Sequence, residues 1–287
     1  MIPAMNIIAW GNVAPWAEQR QIEQDLIISR AVVELFSDDF LKEELRFRGG
    51  TALNKLHFPA PLRYSEDIDL VRTTHGPIGP ILSRVREILQ PWMGGAAFEQ
   101  SRIAPKLIFH AQAEDGTAAP LRLKVEINTR ETEVYDRPCS IFYTVENPWF
   151  TGAADVPTYS REEMLATKLR ALLQRDKGRD LVDLSHALVV FDGLDAGLVI
   201  EVFQRYLVAQ GLRLSRAQAE ERMFAKLNSP GFLADIRPLL TPTESDRITE
   251  EAMKAAFSSV FTGLVEQLPG NPWARTDEMT ERFELDL

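Results

Sequence analysis

Asp67 and Asp69 stand two apart in Glu66-Asp67-Ile68-Asp69-Leu70-Val71, where acidic and apolar residues alternate. That alternation predicts a half-buried strand, on which residues two apart project from the same face. Two carboxylates on one face can clamp hard divalent cations through oxygen. A third, Glu126, lies in Lys124-Val125-Glu126-Ile127-Asn128, a neighbouring predicted strand with apolar flanks, and could complete the cluster. Upstream, Gly49-Gly50-Thr51 precedes a helical pattern. Glycines let a phosphate chain approach backbone N–H groups, and the positive end of the following helix favours the anion. Two cations about 3.5 to 4 Å apart can activate a hydroxyl and stabilise departing pyrophosphate in an in-line displacement. Each feature alone has a plain structural explanation: a turn, a solvated strand edge, an edge charge. Their order on these elements is what points to nucleoside-monophosphate transfer from a triphosphate.

The elements that must hold these residues follow from periodicity. Leu45-Arg46-Phe47-Arg48 alternates as a short strand; Ala52, Leu53, Leu56 and His57 then resume helical spacing, giving strand, glycine turn, helix. Ahead of them, 16–36 carries an amphipathic helical pattern, and a second helix is expected over 80–92. Strands are expected over 106–111, 121–129 and 139–145, separated by the turn signals Asp115-Gly116 and Arg137-Pro138. Beyond Asn147-Pro148 the pattern is helical, over 161–174, 179–190, 196–209, 217–227 and 244–267. The expected class is α+β: a mixed-sheet lobe with flanking helices over 1–155, then an all-helical lobe over 156–287. A length of 287 residues suits two lobes at roughly 150 residues per domain.

Composition narrows the function classes. Hydrophobic residues are 45% and charged residues 26%, ordinary for a folded chain. The first residues lack a basic leader and an export-length apolar run, and no stretch approaches roughly 20 apolar residues, so a cytoplasmic protein without a membrane span is expected. The single cysteine, Cys139, fits a reducing compartment, and the four histidines show no zinc-ligand spacing. The net charge of −10 argues against broad nucleic-acid coating. A local basic groove is compatible with it, because 161–179 holds six basic residues against three acidic ones. The aromatics Trp92, Trp149, Phe191, Phe203 and Phe224 are read as core rather than as base-stacking platforms.

The glycine run, its spacer and the D-x-D resemble the DNA-polymerase-beta-like nucleotidyltransferase superfamily. More narrowly, F-R-G-G-T-A-L-N-K and R-Y-S-E-D-I-D-L are similar to the AbiEii/AbiGii and MenT group of bacterial nucleotidyltransferase toxins. The 16-residue spacer between Gly50 and Asp67 is longer than the common superfamily range, though the subgroup tolerates it. A second region, Lys168 through Arg175, Arg179-Asp180 and Asp183-Leu184, is similar to the group's K-x-x-A…R…R-D-x-x-D-L motif. Ser160 and Glu163 would cap the helix that carries it.

The resemblance covers about half the chain and implies roles for these residues. Asp67, Asp69 and Glu126 would bind two magnesium ions; Gly49, Gly50, Thr51, Arg63, Ser65 and Lys168 would hold the triphosphate; Asp183 would be a further essential polar residue. Ser65 also marks a point near which some relatives are silenced by phosphorylation. The basic residues Arg170, Arg175, Lys177 and Arg179 would guide the acceptor. The implied acceptor is the 3′ end of tRNA, whose extension blocks aminoacylation and translation, and a cognate antitoxin would oppose it. Two rivals are transfer to a protein or small molecule, which needs no basic groove, and a non-catalytic partner-binding module.

Overall fold

The computed structural model describes residues 2–116, 119–229, 232 and 236–287, which fall into two compact units, Met1–Tyr159 and Ser160–Leu287. In the first, α1 (Ala4–Trp10), α2 (Gln19–Phe36) and α3 (Asp39–Glu44) lead into β1 (Leu45–Arg48) and α4 (Gly49–Ala52), which widens into one looser turn over Leu53–His57. Then come β2 (Asp67–Arg72), α5 (Gly79–Met93), β3 (Ala96–Glu99), β4 (Lys106–Ala111), β5 (Leu121–Asn128), β6 (Cys139–Asn147) and β7 (Phe150–Thr158).

Five strands form a mixed sheet in the order β1-β2-β5-β4-β3, with β2 and β5 parallel and every other pair antiparallel. Alternation along β2 and β5 sends Ile68, Leu70, Leu123, Val125 and Ile127 into the core, each at most 1% exposed. It leaves Asp67, Asp69, Lys124 and Glu126 at intermediate burial on the other face. Helix α2 is buried along most of its length, with Leu26, Ile28, Ala31, Val32 and Leu35 fully inaccessible, and it packs against β5, β7 and α5.

Strands β6 and β7 pair as a separate hairpin, tied to β1 where Thr158 Oγ1 donates to the Phe47 carbonyl at 2.7 Å. Residue pattern gives no strand signal over 150–158, because Gly152, Ala153, Ala154 and Pro157 carry little strand propensity. Trp92 and Trp149 are packing residues, as read: the Arg30 guanidinium lies 4.2 and 4.7 Å from their ring centres.

In the second unit, α6 (Arg161–Gln174), α7 (Gly178–Val190), α8 (Ala196–Ala209), α9 (Arg216–Leu227), α10 (Pro242–Arg247), α11 (Glu250–Gly263) and α12 (Thr276–Phe283) pack around Phe224, Phe257 and Phe261. Ser160 caps α6 by accepting from the Glu163 N–H at 3.1 Å. The single helix expected over 244–267 is broken, because Thr249 accepts the Ala252 N–H at 3.1 Å and starts α11 afresh.

Candidate active site

Parallel pairing of β2 with β5 sets Asp69 opposite Glu126 and Asp67 opposite Lys124, so residues 57 positions apart meet side by side. Lys124 Nζ lies 2.8 Å from Asp67 Oδ2 and 3.3 Å from Glu126 Oε2, and Lys106 on β4 approaches Glu126 Oε2 at 3.5 Å. Burial, and then the neighbouring Asp67 charge, push the Asp69 carboxyl above the usual carboxylate range, although Arg48 and Lys124 oppose this. Burial alone would lower the Lys124 ammonium; its hydrogen bond to Asp67 and the surrounding carboxylates overcome that and raise it. Arg48, paired in register with Asp69, is held by Glu131 at 2.6 Å.

Gly49 closes this face. Its φ of +82° is a left-handed value that glycine adopts without strain, and a Cβ there would collide with the Asp69 carboxylate. A Cβ on Gly50 would strike the Arg63 guanidinium. Gly49 is thus required by both its conformation and its approach to Asp69, while Gly50 leaves room for the Arg63 guanidinium. Thr51 Oγ1 donates to the Asp67 carbonyl at 2.5 Å and lies 2.8 Å from Ser65 Oγ, joining the helix start to the strand start. Asn54 fixes the intervening loop: its amide donates to the Gly50 carbonyl at 2.9 Å, and its carbonyl accepts from Leu62 and Arg63 N–H at 3.3 and 3.2 Å.

Beneath these groups is a cavity of about 200 Å³ bordered by Thr51, Asn54, Arg63, Ser65, Trp16 and Phe58. The Trp16 indole N–H is buried with no hydrogen-bond partner among the described residues. Lys55, the last residue of the glycine motif, serves the scaffold instead, bonding Asp25 at 2.8 Å and Ser29 at 2.9 Å.

The second unit carries its own charge cluster. Lys168 Nζ bonds Asp180 Oδ1 at 3.1 Å and Asp183 Oδ2 at 2.8 Å, with both aspartate side chains fully buried. Arg175 reaches Asp180 through Nε at 2.7 Å and Nη2 at 2.9 Å. The Arg170 guanidinium stacks 4.7 Å from the Tyr206 ring centre and is buried. Of the basic residues expected to face an acceptor, Lys177 is exposed and Arg179 half-buried, while Arg170 and Arg175 are engaged within this unit.

The donor chemistry on β2 and β5 fits a hard divalent cation: three carboxylates share a face, and an ammonium already lies against two of them. Among the described residues, however, no three His, Cys, Asp or Glu side chains converge closely enough to hold a metal ion. Lys124 instead bridges two of them, bonding Asp67 and Glu126. Residue types and spacing alone do not single out Lys124, Asn54 or the Arg48–Glu131 pair. Lys124 carried one usable signal, its position two residues before Glu126 on an alternating strand, which puts both on one face.

The fold is similar to that of MenT4, a nucleotidyltransferase toxin from Mycobacterium tuberculosis H37Rv, with a TM-score of 0.67 at 18% identity over 99% of this chain and 97% of that one. JHP933 from Helicobacter pylori aligns with a TM-score of 0.44 at 16% identity, over 94% of this chain and 95% of that one. No curated protein matches. The family model described as the nucleotidyl transferase AbiEii toxin of type IV toxin–antitoxin systems matches residues 30–263. With four-fifths of its length inside that match and a nucleotidyltransferase fold around the glycine turn, the chain belongs to the AbiEii nucleotidyltransferase toxin family.

Proposed function

We propose that this nucleotidyltransferase moves a nucleoside monophosphate from a nucleoside triphosphate to the 3′ end of tRNA, blocking aminoacylation and hence translation, under the control of a cognate antitoxin. The observation that carries the chemistry is the register: Asp69 opposite Glu126, with Asp67 one pleat away and Gly49 closed down on Asp69. In this reading Asp67 and Asp69 hold two magnesium ions and Glu126 holds the catalytic one. When bound, such ions polarise the α-phosphate and neutralise the departing pyrophosphate.

The chain's own groups do the rest. Gly49, Gly50 and Thr51 present backbone N–H groups to the phosphates, Arg63 and Ser65 border them, and Lys168, by family resemblance, neutralises charge on the triphosphate oxygens. Asp183 holds Lys168 at 2.8 Å. Glu126 assists removal of the proton from the acceptor hydroxyl; that oxygen bonds to the α-phosphorus as the bond to the β-phosphate oxygen breaks, and pyrophosphate leaves. In this scheme the first lobe carries the carboxylates and the helical lobe contributes Lys168, Asp183 and the basic residues Arg170, Arg175, Lys177 and Arg179 toward nucleotide and acceptor. The reading places the enzyme in the cytoplasm, where its acceptor is.

Incubating the protein with magnesium, each α-labelled triphosphate, total tRNA and a protein fraction tests this directly. Label is expected on tRNA, and it should vanish with Asp69→Ala. Label on protein or a small molecule would replace the acceptor, a reading favoured by the net charge of −10. An Asp69→Ala protein that folds and still inhibits growth would overturn the catalytic reading in favour of a binding module.

A further inference from the structure

Beyond the carboxylates, where β2 and β5 end, the first unit opens into a polar basin of about 490 Å³ whose lining includes Arg72, His75, Arg102, Arg130, Phe98 and Thr129. Among the described residues no carboxylate lines it. Of the acids adjacent in sequence to the lining, Glu44 is engaged by Arg72 at 3.5 Å and Thr74 at 2.5 Å and Glu131 by Arg48 at 2.6 Å, while Glu99, between Phe98 and Gln100, is exposed on the opposite side of its strand from Phe98. Arg102 and Arg130 are exposed and form no ion pair among the described residues; Arg130 Nε donates only to the Arg102 carbonyl, at 3.3 Å. On a chain of net charge −10, an arginine-lined recess without acids is an attractive site for a polyanion.

The basin lies at the edge of the sheet, past the ends of β2 and β5 and before the start of β4; Arg72 and Phe98, paired with Leu45 and Leu107, line it from the face opposite the carboxylates. Thr129 is three residues beyond Glu126, roughly 10 Å at the rise of a strand. Pro105, which lines the basin, immediately precedes β4, whose first residue, Lys106, lies against Glu126 at 3.5 Å. We propose that this basin receives the phosphodiester backbone of the acceptor RNA next to its reacting 3′ end, an inference that rests on the transfer reaction proposed above. Arginine forks match phosphate oxygens bidentately, and the Phe98 ring, 45% exposed on the rim, offers a stacking face to an unpaired base. A protein partner fits less well, because Thr74, Gln100 and Ser101 occupy the walls where apolar anchors would be needed.

The test uses the full chain, a short fluorescein-labelled single-stranded RNA, and anisotropy titrations over a salt series. Arg102→Gln/Arg130→Gln should weaken RNA binding roughly tenfold and reduce the slope of log affinity against log salt by about 1.4, at roughly 0.7 per phosphate contact on a single strand. ATP binding by calorimetry should be unchanged. Arg205→Gln/Arg247→Gln, an equal charge change at exposed positions of the helical unit, should leave RNA binding at the wild-type level. Wild-type RNA affinity in the Arg102/Arg130 variant would overturn the basin while leaving the transfer reaction standing, provided the wild type still labels RNA. Loss of polyglutamate binding in that variant with RNA binding intact would assign the basin to an acidic protein and overturn the proposal. A wild type that neither binds nor labels RNA would sink both readings together.

Discussion

Replacing Lys168 with methionine is the perturbation whose cost is best defined by the structure. Methionine keeps an unbranched apolar stem of similar length and removes the ammonium that bonds Asp180 at 3.1 Å and Asp183 at 2.8 Å, both fully buried. Breaking a buried ion pair by deleting one partner costs about 3–5 kcal/mol, because a desolvated charge loses its compensation. In a unit of this size that is a fall in melting temperature on the order of 10–20 °C. Melting of the metal- and nucleotide-free protein is the proper readout, since lost transfer would not separate misfolding from a lost phosphate contact. The triple change Lys168→Met, Asp180→Asn and Asp183→Asn should recover most of the loss, as neutral replacements of buried ionic groups are often near neutral. Acid should erase the difference as well. Burial opposes ionisation of Asp180, but Lys168 and Arg175 overcome it and hold its carboxyl below the usual range. A depressed carboxyl contributes stability that is complete above the unfolded value, roughly 3.9, and lost as pH falls through the lower folded one, so the gap between wild type and Lys168→Met should begin to narrow only as pH falls below about 4. A Lys168→Met protein melting within about 1 °C of wild type at neutral pH would refute the reasoning.

Three further outcomes follow from the first unit. Asp69→Asn should melt higher than wild type in the absence of metal, since burial and Asp67 penalise the ionised form at neutral pH; transfer should fall at least a hundredfold, given the several kcal/mol that metal polarisation supplies. A lower melting temperature would contradict that account of the cluster. Lys124→Met removes the internal cation between Asp67 and Glu126, so added magnesium should raise its melting temperature by more than it raises that of wild type; equal shifts would show that Lys124 does not compete with the metal. Gly49→Ala forces a side chain to φ +82° at about 1–2 kcal/mol before the collision with Asp69, so calorimetry should show lost stability and lost triphosphate binding together, and an unchanged protein would exclude the close approach.

Local pattern reached far into this fold where one periodicity dominated. The glycine turn between β1 and α4 and the alternation of Asp67, Ile68, Asp69 and Leu70 are set by neighbours a few residues apart, so residue type alone announced them. The same logic located α2, α5, β4 and β5 to within a few residues. It failed for β7, whose small residues and Pro157 acquire strand geometry only by pairing with β6, and for 244–267, where the Thr249 cap outweighs continuous helical spacing. Four short elements, α1, α3, β3 and α12, had too few residues to show a clear period.

The sequence by itself determined the chemical inventory: a glycine pair, a D-x-D, a later glutamate, and a lysine followed by two aspartates, in an order and spacing characteristic of the family. Only the tertiary structure decided what those groups touch. The strand order β1-β2-β5-β4-β3 brings Lys124 to Asp67 and Lys106 to Glu126, and helix packing in the second unit turns Lys168 onto Asp180 and Asp183. The physical reason is range. Periodicity and backbone conformation are fixed by residues a few positions apart, whereas an ion pair is fixed by which strands or helices become neighbours, and that is settled by burial of the whole core.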